Sequence, residues 1–123
     1  MTRIATIQNR TKPLTAPIHA QNCADFWSKF RGLMLQKSIP LDGGALLAED
    51  KNSRMNASIH MLFMRFDIAA IWIDSNMKVV DVQVAHRWRL AYLPAKPARY
   101  ILEAHVNQAK YFRIGDQVSI TYD

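Results

Sequence analysis

The sequence predicts a mainly β protein: a compact, jelly-roll-like β-sandwich or barrel with one or two short helices. Three observations lead to this fold class. Apolar residues come in short runs or in alternation with polar ones, which is typical of strands. Turn residues recur roughly every ten residues, as in all-β sandwiches and barrels. Helical spacing is confined to two short stretches. Because the chain has no repeat, linker or low-complexity segment, we expect residues 1–123 to form a single domain.

The first half of the chain mixes strand, loop and short-helix signals. Residues 1–14 are expected to be an N-terminal arm or extra strand ahead of a main domain at 15–122. Phe26, Trp27 and Phe30 form an apolar helical face, and Gly32 suits the end of that helix. The expected elements are a strand or arm at Arg3–Gln8, a loop at Asn9–Pro17, a strand at Ile18–Asn22, a helix at Ala24–Phe30, a turn at Pro40–Gly44, a strand at Ala45–Ala48 and a loop at Glu49–Asn56.

The second half contains the clearest hairpin. Ile68–Ile73 is apolar on both faces, as a central strand would be, and Val79–Val84 alternates, with Asp81 on its polar side. Asn76 in the intervening turn is suited to a positive φ. The remaining expected elements are a loop at Leu90–Pro97, a strand at Tyr100–Ala104, a helical turn at Val106–Phe112 and a last strand at Val118–Tyr122.

Charge and composition exclude several protein classes. Hydrophobic residues make up 50% of the chain and charged residues 21%, so it can bury a core and should not be disordered. The net charge of +6 is spread over both halves, which favours a mildly cationic surface over a dedicated nucleic-acid site. The longest apolar run, Ile68–Ile73, is far shorter than the roughly 20 residues of a membrane-spanning helix. Met1–Pro17 lacks the apolar centre of a signal peptide. We therefore expect a soluble, cytoplasmic protein without a membrane span.

Motifs of the common enzyme classes are missing. The sequence has no Walker loop, no Rossmann glycine pattern and no glycine-flanked nucleophilic serine. The four histidines show no ligand-pair spacing, although strands could bring His86 and His105 together, so we predict no metal site and no cofactor. The only cysteine, Cys23, excludes an internal disulfide and is expected to be a buried apolar residue rather than a catalytic thiol.

Two residues are better candidates for function. Glu103 interrupts an apolar strand, and if it faces inward it needs a partner such as Arg31, Arg65 or Arg89, because an unpaired buried carboxylate is costly. A structural ion pair is the preferred interpretation, and a pocket-lining pair is the alternative. Trp88, between two arginines, is expected near solvent, where it could stack on a sugar or base or could simply cover the sheet edge.

From about Thr15 to Tyr122 the chain resembles domain-of-unknown-function family 192. Each matching segment is weak alone, but together they occur in order over roughly nine-tenths of the chain, and they include the branch of the family with His in its central motif. The segments are Phe30-Arg31-Gly32-Leu33-Met34, Gly44-Ala45-Leu46-Leu47, Ser58-Ile59-His60 with Phe63-Met64-Arg65-Phe66, Trp88-Arg89, Tyr100-Ile101-Leu102-Glu103 and Gly115-Asp116. The resemblance implies a compact jelly-roll or sandwich with one short helix, and it implies no activity.

The chain departs from the family pattern at four positions. Asp67 and Ala69 stand where relatives usually have Pro and Asp, Gln36 replaces an Arg, and Asn107 replaces a Gly. Asn107 can still support a turn. The loss of a carboxylate at Ala69 means that any site using it in relatives is altered here.

These features favour a non-enzymatic module that binds a ligand or an unknown partner on one face. The expected lining comes from Arg31, His60, Arg65, Trp88, Arg89 and Glu103. Arginines beside a tryptophan suit an anionic or carbohydrate-like ligand. Two alternatives stay open: an enzyme using Glu103 or His60 as general acid–base, and nucleic-acid binding through charge alone.

Overall fold

One seven-stranded sheet dominates the computed structural model, which describes residues 3–23, 37–61, 64–89 and 91–123. The strand order across the sheet is β5-β4-β6-β3-β2-β1-β7, and neighbours are antiparallel except for β2 and β3. The elements are β1 Ile4–Asn9, β2 Ile18–Cys23, β3 Gly44–Ser53, β4 Ile68–Ile73, β5 Val79–Ala85, β6 Ala98–His105, a 3₁₀ helix at Val106–Tyr111 and β7 Val118–Tyr122. The predicted mainly β class is confirmed. The predicted helix at Ala24–Phe30 lies outside the described residues.

The sheet curls so that its two terminal strands meet at one end. Lys78, next to β5, forms an antiparallel bridge with Gln117, next to β7. The backbone N–H of Val79 donates to the carbonyl of Asp116 at 2.9 Å, and that of Gly115 donates to the carbonyl of Val79 at 2.8 Å. These bonds turn the open sheet into a half-barrel. The jelly-roll subtype stays a prediction.

Both faces of the central strands are buried, which explains their nearly continuous apolar sequence. Neighbouring residues of one strand, such as Ile71 and Trp72, belong to two different apolar clusters because successive side chains point to opposite faces. One cluster contains Trp72, together with Ala57, Ile59, Met61 and Tyr92 from loops that cover that face. The indole N–H of Trp72 donates to the Ala57 carbonyl at 2.7 Å, which ties the cover to the sheet.

The predicted hairpin of β4 and β5 is confirmed, but three local predictions are wrong. Asp81 is only 9% exposed, because the loop at residues 93–95 covers its side of β5, and its carboxylate accepts three hydrogen bonds, one of them from the Ala95 N–H at 2.9 Å. Met77, rather than Asn76, has the positive φ. β3 continues to Ser53 through the predicted loop, because pairing with β6 extends it beyond its apolar part.

Among the described residues, no helix is long and apolar enough to cross a membrane. Cys23 is buried at the end of β2, as expected. Ala69, where the family resemblance implies an aspartate in other members, is completely buried in the cluster that also holds Leu102. A carboxylate at this position would lie in an apolar interior, so alanine there suits the packing of this chain.

Candidate functional site

Charged side chains converge at the end of the sheet where β4 begins and where β5 and β6 end. β4 is antiparallel to both neighbours, so Ile68 lies opposite Ala85 on one side and His105 on the other. The residues flanking these positions, Asp67 and His86, are therefore brought next to each other although they are 19 positions apart. From the sequence, the proximity of His86 and His105 at this edge was only one possible result of strand pairing.

Asp67 organises this edge. Its Oδ1 accepts a hydrogen bond from the backbone N–H of Arg87 at 2.9 Å, and its Oδ2 lies 3.3 Å from Nδ1 of His86. The hydrogen bond from the Arg87 N–H is the main reason why the pKa of the Asp67 carboxyl lies below its usual value. Partial desolvation raises this pKa, whereas the hydrogen bond with His86 and the electrostatic effects of His86 and Arg87 lower it further. Asp67 is therefore a carboxylate at neutral pH and fixes the start of the segment that follows His86.

A cavity of about 290 Å³ opens beside this carboxylate. This is close to the lower end of the size range of small-molecule pockets. Its lining comes from the chain before β3, the start of β4 and the ends of β5 and β6, and consists of Ser38, Ile39, Phe66, Asp67, Arg87, His105 and Val106. The cavity thus combines an apolar wall with a guanidinium, an imidazole and a carboxylate.

Trp88 occupies a strained turn at the rim of this region. Its φ is +69°, which is the left-handed region that bulky residues rarely adopt, and its side chain is 57% exposed. The turn is held in place because the Trp88 N–H donates to the Met61 carbonyl at 2.8 Å, and the Met61 N–H donates to the Arg89 carbonyl at 3.0 Å. A large apolar ring kept exposed at the expense of backbone strain is typical of binding and active sites.

The surroundings of Trp88 are cationic. Arg87 and Arg89, which flank Trp88 in the chain, are both exposed, and the guanidinium of Arg89 lies over the Tyr92 ring at 5.3 Å from its centre. This stacking leaves the edge of the guanidinium available to an incoming acceptor. The nearby carboxylate of Asp67 balances only part of the positive charge. The arrangement can therefore bind an anionic group next to a flat apolar surface.

The structure places His60 next to the segment that carries Trp88 and Arg89, whereas Glu103 lies elsewhere. His60 is half-buried in the segment that pairs with the Trp88 turn: Ile59 and Tyr92 exchange two backbone hydrogen bonds of 3.0 and 2.9 Å. The neighbouring Met61 pairs with the turn itself, so His60, Trp88 and Arg89 lie on adjacent segments. Arg65 precedes Asp67 by two positions. Arg31 lies outside the described residues.

Glu103 is placed differently, in the middle of β6. It is 6% exposed and has Ala45 of β3 and Ala70 of β4 as its cross-strand neighbours. Burial raises the pKa of its carboxyl from 4.5 to about 7. Neither Arg65 nor Arg89 pairs with this carboxyl, and it lies outside the lining of the cavity next to Asp67.

Asp67, His86, Arg87 and His105 were absent from the predicted site. The available signal was the strong β4–β5 hairpin, which places the residues at the two open ends of its strands side by side. In the described part of the chain no group of three or more His, Cys, Asp or Glu side chains is arranged to hold a metal ion.

Comparison with known proteins finds relatives over most of the chain. A UPF0127 protein of Thermococcus gammatolerans is 37% identical over 117 residues, which cover 95% of this chain and 74% of the relative. A UPF0127 protein of Thermococcus kodakarensis is 43% identical over 98 residues, covering 78% of this chain and 60% of the relative. The chain thus spans only part of the length of these archaeal relatives. The model of family DUF192, described as "Uncharacterized ACR", matches residues 3–120.

Two crystal structures share the fold. One is a "putative transcription regulator" of Sinorhizobium meliloti 1021, with a TM-score of 0.82 and 14% identity over 98% of this chain and 94% of that one. The other is a protein of unknown function from Novosphingobium aromaticivorans DSM 12444, with a TM-score of 0.78 and 15% identity over 94% of this chain and 83% of that one. At these identities the similarity establishes the β fold alone.

Proposed function

The chain belongs to the DUF192 family of uncharacterised proteins, and from that premise we propose that it is a non-enzymatic module binding a small anionic ligand beside Trp88. The observation that carries the proposal is the exposed indole of Trp88, at a φ of +69°, between two exposed arginines. Strain of this kind amounts to about 1–3 kcal/mol and persists where the surrounding structure imposes it. Here the Asp67 carboxylate and the Met61 backbone impose it.

The ligand class follows from the chemistry of the side chains. Guanidinium groups bind carboxylate and phosphate through paired, charge-assisted hydrogen bonds. The indole ring of Trp88 offers a flat surface for a sugar ring or another ring with an apolar face. The adjacent cavity of about 290 Å³ has room for part of such a molecule, next to Arg87 and His105. Sugar acids and sugar phosphates combine both features and are the first class to test.

Quenching of intrinsic fluorescence follows binding to the wild type, because Trp88 is exposed whereas Trp72 is fully buried. Isothermal titration calorimetry measures binding in the wild type and in every variant, since Trp88→Gly removes the reporting indole. The probes are glucose 6-phosphate and glucuronate, with glucose and inorganic phosphate as matched halves of the same ligand. We expect saturable quenching with the charged sugars and at least tenfold weaker binding of either half. The test variant is Trp88→Gly, since glycine adopts a positive φ without strain and keeps the turn while removing the ring.

The denaturant midpoint of Trp88→Gly should be equal to or higher than that of the wild type, and this variant should lose binding. Arg89→Ala should lose binding as well. Met55→Ala, another exposed apolar residue in a loop after β3, is the control and should bind normally. Binding that survives in Trp88→Gly, or no saturable binding of either charged sugar, contradicts the proposal. Tighter binding of an oligonucleotide with a steep salt dependence would instead support the charge-driven alternative.

Asp67 allows a second test of the same site. Asp67→Asn keeps an oxygen that can accept the Arg87 N–H but removes the negative charge, so it should bind the anionic probes as tightly as the wild type or more tightly. Asp67→Ala removes the acceptor and releases the turn, so it should bind more weakly. Weakening by both substitutions to the same extent would show that the charge of Asp67, and not its positioning of the turn, supports binding.

A second candidate function, acid–base catalysis by Glu103, is favoured by one observation. A carboxyl with a pKa near 7 can exchange protons at neutral pH, as general acids and bases must. The burial of Glu103 away from the cavity beside Asp67 weighs against this role. Any turnover found in a substrate screen should vanish in Glu103→Gln if this carboxyl is the catalytic group, and unchanged turnover excludes it.

A further inference from the structure

A second, larger cavity has no residue of the proposed anion site in its lining. It has a volume of about 480 Å³, well within the range of small-molecule sites. Three elements form it: the loop between β1 and β2, the turn before β3, and the 3₁₀ helix Val106–Tyr111. None of its lining residues is shared with the cavity beside Asp67.

Side chains at the end of β1 hold the walls of this cavity in place. The side-chain oxygen of Gln8 accepts the Leu14 N–H at 2.6 Å, which fixes the loop. Asn9 is completely buried; its oxygen accepts the Lys12 N–H at 3.1 Å, and its amide donates to the Tyr111 carbonyl at 3.0 Å. The loop and the 3₁₀ helix are thus tied to one buried amide. Such a pre-formed cavity loses little entropy when it is filled.

Gln108 gives the cavity a defined polar requirement. This residue is 5% exposed, and its Nε2 donates to the Leu41 carbonyl at 2.7 Å. Because a carbonyl can only accept, this bond fixes which end of the amide is the nitrogen. The other end, Oε1, is buried and has no hydrogen-bond partner among the described residues. A buried acceptor without a partner is costly, so an occupant that donates a hydrogen bond to it gains affinity.

The remaining lining defines the rest of the occupant. Leu41 and Tyr111 are large apolar side chains that are 52% and 44% exposed, and Pro13 adds a further flat apolar surface. Lys12 and Asp42 contribute opposite charges, so the lining carries no net charge. Apolar walls favour a flat ring, and the balanced charges favour a neutral one.

We propose that this cavity binds a small neutral aromatic or heteroaromatic molecule whose N–H or O–H group donates to Oε1 of Gln108. The ring packs against Leu41 and Tyr111, and the donor satisfies the buried oxygen of Gln108. This site is independent of the anion site beside Trp88 and differs from it in charge.

Two pairs of probes test the hydrogen bond directly: indole against 1-methylindole, and phenol against anisole. Each pair differs by one methyl group that replaces the donated hydrogen. Binding is followed by ¹⁵N–¹H NMR titration of the whole protein. We expect saturable shifts at residues 12, 14–16, 41–42 and 108–111, with the methylated probe of each pair weaker by roughly fivefold, the value of one net hydrogen bond.

Protein variants complete the test. Gln108→Leu removes the acceptor, so both members of a pair should bind equally well. Ala16→Trp places a large ring at the exposed rim of the cavity and should block all four probes even if Gln108→Leu does not fold. Met55 lies beyond the end of β3 that is opposite to Asp42 of the cavity, so Met55→Ala should change nothing. No saturable binding, shifts that map elsewhere, or equal binding of methylated and unmethylated probes to the wild type would overturn the proposal.

Discussion

The buried carboxyl of Glu103 should make the stability of this protein fall as the pH rises through neutrality. In the folded state the pKa is about 7, whereas the ordinary value is 4.5. Between these values the unfolded chain releases the proton while the folded chain keeps it. Because the unfolded state then binds fewer protons, the free energy of unfolding decreases with increasing pH. The loss begins above pH 4.5 and is complete above about pH 7.

The size of this effect follows from the two pKa values. The gap between 4.5 and about 7, at about 1.36 kcal/mol for each pKa unit, corresponds to roughly 3 kcal/mol. That is a large part of the 5–15 kcal/mol that is typical of folded proteins, by order of magnitude. Glu103→Gln has nearly the same shape and no charge. Its stability relative to the wild type should therefore rise by roughly 2.5 kcal/mol between pH 5 and pH 8, because part of the full effect falls below pH 5.

Urea unfolding of the wild type and Glu103→Gln at pH 5, 6, 7 and 8 measures this difference, because titrations of all other groups cancel between the two proteins. Asp50→Asn removes an exposed carboxyl from β3 and is the matched control, which should follow the wild-type profile. A constant difference between wild type and Glu103→Gln across this range would refute the reasoning. It would mean that a cation or a hydrogen-bond donor stabilises the ionised carboxylate.

Two further predictions test the packing. Gly44→Ala should lower the free energy of unfolding by at least about 2 kcal/mol, because its φ is +151° and an added Cβ would collide with the carbonyl oxygen of Glu103. Gly115→Ala, at φ +95° in open space, should lower it by only about 1 kcal/mol in the same urea unfolding assay. Equal losses in the two variants would contradict the collision. Trp72→Phe should cost about 2–3 kcal/mol in urea unfolding, because it removes the bond to the Ala57 carbonyl and leaves a gap. A decrease in the free energy of unfolding of less than about 0.5 kcal/mol would show that this hydrogen bond does not hold the loop of Ala57 on the sheet.

Local sequence patterns predicted most strands, because strand period and turn chemistry act over only a few residues. Ile68–Ile73 is buried throughout as β4, and the expected last strand, Val118–Tyr122, is β7 with the same bounds. The pattern failed where pairing between distant segments decided the outcome. Asp81 looked like a residue of the solvent face, but the loop around Ala95 covers it, and the Ala95 N–H donates to its carboxylate at 2.9 Å. A contact with a loop 14 residues away is not visible in the sequence of one strand.

The candidate site was predictable in part for the same reason. The exposure of Trp88 follows from its arginine neighbours and was expected, and the structure confirms it. The inward position of Glu103 was an open question in the sequence, and its lack of an Arg65 or Arg89 partner was not foreseen. The contact between Asp67 and His86 depends on the antiparallel arrangement of β4 and β5, so only the hairpin register specifies it.

The sequence by itself determined the β class, the central hairpin and the family, because periodicity, turn residues and ordered motifs are local properties of the chain. The tertiary structure decided which ends meet. It paired β1 with β7, which begin more than a hundred residues apart, and it set the loop at Lys12 against Gln108. Both cavities arise from such long-range contacts. Their shape and their open hydrogen-bonding groups depend on packing in three dimensions, which no short stretch of sequence encodes.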